Sequence, residues 1–158
     1  MKGDTDVIKK LNVILRNELT SINQYFLHAR LYQSEGYAKL GKKTYEESIE
    51  EMKHADKLVK RVLLLEGFPN LQDLNKLLIG EAVEERLKAD LAAETNGRKD
   101  LVEGITLCED KKDYVSRDLL TEILDDTEEH IDFLETQLQV MAQVGVQNYL
   151  QSQYELEG

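Results

Sequence analysis

Apolar residues return every three or four positions along most of this chain. Ile8, Leu11, Leu15, Ile22, Tyr25 and Ala29 trace one seam, and Leu58, Val62 and Leu65 a second. Leu87, Leu91, Leu101, Ile105 and Cys108 form a third, and Leu120, Ile123, Leu134, Leu138 and Met141 a fourth. This is the period of a helix with one buried face, whereas the two-residue alternation of strands is rare. The spacing predicts an all-α chain with helices at about 5–35, 42–66, 81–110 and 114–144, and a short fifth at 147–154. Asp4-Thr5 reads as a helix start, and Gly67-Phe68-Pro69-Asn70, with the only proline of the chain, as a stop. Residues 67–80 are too many for a tight antiparallel turn, so they are expected to form one long crossover joining two helix pairs into a four-helix bundle.

Each seam is interrupted by polar residues at mid-height. Glu18 interrupts the first, Glu47, Glu51 and His54 the second, Glu94 the third, and Thr127 and His130 the fourth. An offset of 76 positions carries Leu11 to Leu87, Leu15 to Leu91, Glu18 to Glu94, His54 to His130, Leu58 to Leu134 and Val62 to Leu138. The second helix pair therefore resembles the first. Within this layer the offset breaks at one ligand position, because it carries Glu51 to Thr127.

Carboxylates are rarely buried without compensation, since an unpaired buried charge costs several kcal/mol or takes up a proton. Three of these carboxylates, Glu18, Glu51 and Glu94, and two imidazoles on converging seams are compensated most directly by a divalent metal such as iron, manganese or zinc. In the Glu-x-x-His unit the two side chains share one helix face, so Glu51 and His54 can hold one ion between them. The predicted metal set is Glu18, Glu51, His54, Glu94 and His130. His28 has no counterpart under the offset and is expected to be a hydrogen-bonded structural histidine. Met52, about 100° around the helix from Glu51, reads from spacing alone as a packing or interface residue.

The 158 residues suit a single domain, expected to span 1–158. Twenty basic against 31 acidic residues give a formal charge of −11, which disfavours nucleic acid and anionic membranes and favours cations. No stretch has the apolar core of a signal peptide or the roughly 18 unbroken apolar residues of a membrane span, so a cytoplasmic protein is expected. Cys108 is the only cysteine, which excludes an internal disulfide and a cysteine-cluster metal site.

The motifs ELTSINQYFLHAR (18 to 30), ESIEEMKHADK (47 to 57), LEGFPNLQDL (65 to 74), DYVSRDLL (113 to 120), EEHIDFLETQL (128 to 138) and QNYLQSQ (147 to 153) resemble the bacterioferritins, the haem-containing bacterial branch of the ferritins. The likeness extends over essentially the whole chain. It implies a ferritin-like bundle assembled into a hollow cage of 24 subunits that takes up Fe²⁺, oxidises it with O₂ or H₂O₂ and stores the ferric mineral. In that family the positions of Glu18 and Glu94 cap two irons, that of Glu51 bridges them, and those of His54 and His130 bind one iron each. The position of Met52 gives its sulfur to haem b at a twofold axis, which overrides the packing reading. The resemblance also implies two partners, a second bacterioferritin subunit type in mixed cages and a bacterioferritin-associated ferredoxin for iron release.

Thr127 stands where the family has its second bridging glutamate. Three carboxylates then face the four positive charges of two Fe²⁺ ions, and a hydroxyl cannot replace a charged bridge. Metal is expected to favour the half-site of Glu18, Glu51 and His54, with weak paired occupancy and an impaired ferroxidase. Asp126 and Glu128 lie about 100° to either side and would substitute only through a helix irregularity. Phe133 replaces a frequent tryptophan, leaving Tyr25 as the candidate redox-active residue. Glu46 replaces a frequent inner-surface histidine, while Glu47 and Glu50 are candidates for iron transit at the inner surface. Two other readings compete: a haem-bearing subunit whose partner subunit supplies oxidation, and a di-iron oxidase or peroxidase that stores no iron.

Overall fold

The structure, a computed structural model, is described for residues 1–154; the last four residues of the expected domain lie outside the described part. It is all helical: α1 (Thr5–Ser34), α2 (Ala38–Leu64), α3 (Val83–Asp110), α4 (Tyr114–Val144) and α5 (Val146–Gln151). Asp4 starts α1, its side chain accepting the free backbone N–H groups of Asp6 and Val7. Gly36 then reverses the chain at φ 91°, a conformation that costs glycine little. With the turn so short, α2 begins at Ala38 rather than near Lys42 and buries Leu40 in its first turn. At its other end Glu66 turns left-handed at φ 64°, and Gly67 N–H caps Val62 C=O at 2.9 Å, so α2 stops at Leu64 before the proline is reached.

The crossover runs beside α1 in the same direction. Its backbone is non-helical, and its N–H groups need partners that α1 supplies from one polar stripe. Asn12 accepts from Asn70 and donates to Phe68 C=O, Thr20 accepts from Asn75, Gln24 from Leu78, and His28 from Gly80. These four residues recur at four- or eight-residue steps along α1. The crossover thereby returns the chain to the end of the bundle where α3 starts, and α2 and α3 run parallel. Arg86 secures that junction, gripping Glu35 with both Nη atoms and Gly80 C=O with Nε.

α1 packs on α2 and α3, and α3 on α4. The apolar core is in two parts. One holds Leu11, Leu15, Leu58, Val62, Leu101, Leu120 and Ile123, the other Tyr32, Leu40, Leu87, Leu134, Met141 and Tyr149. Gly145, at φ 87°, separates α4 from α5, and α5 ends at Gln151 rather than at the expected Tyr154. The last described residues make turn bonds, and the Tyr154 ring lies 5.1 Å from that of Tyr37. Among the described residues no helix is long and apolar enough to cross a membrane.

Candidate metal centre

Between the two apolar clusters lies a layer of buried polar side chains from all four long helices. Glu18 comes from α1, Glu51 and His54 from α2, Glu94 from α3, and Thr127 and His130 from α4, each no more than 6% exposed. On α2 the three-residue step places Glu51 Oε2 3.4 Å from His54 Nδ1. Glu18 Oε2 approaches the same nitrogen to 3.5 Å, at the outer limit of a hydrogen bond. It is left without a hydrogen-bond partner among the described residues. Ligand atoms of Glu18, Glu51 and His54 all lie within 4.8 Å of one another, the spacing one metal ion can gather.

The α3–α4 side is arranged differently. His130 Nδ1 lies 3.0 Å from Glu94 Oε1, and that oxygen also accepts the Tyr25 hydroxyl. Glu94 is thus held by two neighbours. The His130 ring meets Tyr25 edge-on at 5.2 Å and Phe133 in a stacked pose at 6.4 Å. Burial, then the Glu94 and Asp90 carboxylates, push the Tyr25 pKa well above its ordinary value, so its proton stays in place for that hydrogen bond.

The charges of the layer compensate one another in part. Burial raises the Glu18 pKa against the opposing pull of His54. Burial also disfavours charge on His54, but the Glu18 and Asp126 carboxylates outweigh it and lift its pKa to about 9. His130 is raised in the same way, burial being overcome by Glu94, Glu47 and Asp90. With no metal, imidazolium supplies positive charge among the acids. Because Glu18 Oε2 has no hydrogen-bond partner among the described residues and lies beside imidazoles that can give up a proton, the donor set fits hard-to-borderline divalent ions such as Fe²⁺.

The remaining sequence candidates fall into place around this layer. Helix α4 is unbroken from 125 to 130, so Thr127 faces the site, buried, while its neighbours diverge. Asp126 meets His54 from the far side, Oδ2 2.8 Å from Nε2, and Glu128 pairs with Arg98 at the surface. Glu50, His54 and Asp126 form a further group of potential ligands within 4.8 Å, with Glu50 held by Lys53. Glu46 is exposed. Met52 is 54% exposed, and it lines a groove of about 350 Å³ with Leu19, Ile22, Val59, Leu71 and Leu74.

Glu47 lies beside this layer. Its Oε2 points at His130 Nδ1 from 3.7 Å, and Glu47, Glu51 and His130 gather ligand atoms within 4.8 Å. Its position on the α2 seam, one turn before Glu51, carried that signal. Asp90 left none: it accepts from Gln24 and His28 at 2.8 and 2.9 Å, behind Tyr25 and Glu94, and lies on no predicted seam. His28 carries its proton on Nδ1, because Nε2 accepts from Gly80.

The ferritin-like domain family matches residues 8–144. Bacterioferritin of Brucella melitensis is 51% identical over 149 residues, covering 94% of this chain and 92% of that protein. Bacterioferritin of Rhodobacter capsulatus is 48% identical with the same coverage, and that of Mycobacterium leprae 46% identical, covering 94% of each chain.

Proposed function

The chain belongs to the bacterioferritin family of ferritin-like proteins, and from that premise we propose that it is an iron-storage subunit that assembles into a closed shell of 24 copies. Its central layer binds and oxidises Fe²⁺ for deposition inside. The observation that carries this reading is the layer itself. Five buried candidate ligand side chains from four helices meet between two apolar clusters, and one of their carboxylate oxygens, Glu18 Oε2, has no hydrogen-bond partner among the described residues. Uncompensated, such an arrangement works against folding; with metal bound it is neutralised.

Oxidation at a paired site balances simply. Two Fe²⁺ each give one electron to H₂O₂, which takes up two protons and leaves as two waters. Among the described residues Glu51 is the one carboxylate placed to reach both halves, since it shares a group with Glu18 and His54 and another with Glu47 and His130. A single bridge spaces two ions less firmly than two do, so oxidation is slow in a shell of this subunit alone. Thr127 also favours a second reading, a mixed shell in which this subunit carries haem and another subunit type supplies fast oxidation.

Haem b is the second cofactor of this proposal. The apolar groove around Met52 suits a porphyrin face, and the exposed thioether is a suitable iron ligand. Met52 of two copies would hold one haem, which would supply a redox centre at the interface.

Size-exclusion chromatography and anaerobic Fe²⁺ titration of the metal-free protein test the reading together. A shell-sized particle that binds iron and, after addition of H₂O₂, retains ferric mineral is expected. A particle no larger than a dimer that oxidises iron without retaining it would assign a non-storing oxidase instead.

A further inference from the structure

We propose that Glu47 is the missing fourth carboxylate of the metal centre, binding the ion on the His130 side in place of the acid absent at Thr127. This rests on the reading of the layer as a two-metal site and names a ligand that reading lacks.

Three observations converge on it. His130 Nδ1 faces two carboxylates, Glu94 Oε1 at 3.0 Å and Glu47 Oε2 at 3.7 Å, and it is Glu47, not Glu94, that gathers with Glu51 and His130 within 4.8 Å. The other nearby acids are turned elsewhere: Asp126 to the far nitrogen of His54, Glu128 to Arg98 and Glu50 to Lys53. Glu47 is also divided between two tasks. Its Oε1 is held by Lys43 Nζ at 2.9 Å, which leaves Oε2 directed inward. Its side chain is only 15% exposed, so this carboxylate belongs more to the site than to the surface.

Charge favours the same assignment. Glu18, Glu51 and Glu94 bring three negative charges against the four positive charges of two divalent ions, and Glu47 brings the fourth. Position limits what it can do. Glu47 groups with Glu51 and His130 but not with Glu18 and His54, so it serves one ion as a terminal ligand and does not bridge. Thr127 thus removes the second bridge without removing the second ion. The expected weak paired occupancy gives way to two bound ions joined by Glu51 alone.

Co²⁺ titration of the metal-free assembled protein, read by calorimetry and by the visible absorption of bound cobalt, tests this without turnover. The unmodified protein should bind two Co²⁺ per subunit, and Glu47→Gln should weaken the second by about 10- to 100-fold while shell size and helicity stay unchanged. Glu46→Gln, the neighbouring exposed acid, should bind as the unmodified protein does. Adding Thr127→Glu to Glu47→Gln should restore the second ion. Two tightly bound ions in Glu47→Gln, or one ion in both it and the unmodified protein, would overturn the assignment to Glu47 alone. Co²⁺ binding unaffected by Glu18→Gln and Glu51→Gln would overturn the two-metal reading itself.

Discussion

His54 Nε2 lies 2.8 Å from Asp126 Oδ2, while Nδ1 of the same ring faces Glu18 and Glu51 at 3.5 and 3.4 Å. One imidazole therefore stands between the buried centre and a half-exposed acid on α4. On the proposed reading a metal ion would take the Nδ1 side, and Asp126 would orient the ring from behind, as carboxylates do for many metal-bound histidines.

This relationship predicts a pH dependence. Burial opposes charge on His54, but Glu18 and Asp126 raise its pKa from the ordinary 6.5 to about 9. The charged ring stabilises the metal-free fold fully below pH 6.5, and that contribution is lost as pH rises through 9. The thermal midpoint of the metal-free protein should therefore fall across this window, and Asp126→Asn should move the upper edge of the fall to lower pH. Because metal must displace the proton, Co²⁺ affinity should rise over the same range with proton release. Calorimetry in buffers of different ionisation enthalpy would detect it, and a flat affinity from pH 6.5 to 9 would contradict the assignment.

Thr127→Glu should speed the initial phase of iron oxidation. The new carboxylate projects from α4 beside His130 and adds a second bridge to Glu51. An acceleration on the order of tenfold, corresponding to about 1.4 kcal/mol of barrier, is expected in stopped-flow mixing of Fe²⁺-loaded protein with H₂O₂. No change in that phase would mean that bridging does not limit the rate.

Met52→Leu should abolish haem binding and leave the shell intact. Leucine nearly preserves the apolar volume of the groove but has no sulfur to donate. Haem added to the variant should give no bis-thioether absorption spectrum, and chromatography should still show the assembled particle. Undiminished haem content would move the ligand elsewhere.

Arg86→Met should destabilise the fold without touching the metal centre. The guanidinium is nearly buried and holds Glu35 at 2.6 and 2.7 Å, together with Gly80 and Glu81 carbonyls at 2.8 Å each. Methionine fills the space but leaves the buried Gly80 carbonyl without its donor, while the half-exposed Glu35 turns to water, a loss of about 1–3 kcal/mol. A lowered denaturant midpoint with unchanged Co²⁺ stoichiometry is the expected pair of results.

Much of the architecture was legible in the chain. Helix periodicity, the Gly67–Asn70 stop and the length of the segment between that stop and Gly80 imply four long helices with a crossover, because spacing along a helix fixes which side chains share a face. The same rule sets Glu51 beside His54 and singles out Thr127 through the 76-residue offset. Element ends were less legible: α2 starts earlier because Gly36 completes the reversal in one short turn.

The sequence by itself determined the kinds of polar side chain in the central layer, their approximate height in each helix and the absence of an acid at 127. Only the tertiary structure decided which atoms face one another. Glu47 meeting His130, Asp126 touching the outer nitrogen of His54, and Glu94 held by Tyr25 all join separate helices. The rotation and height of one helix against the next are set by how the two apolar clusters pack, and no local spacing rule contains them.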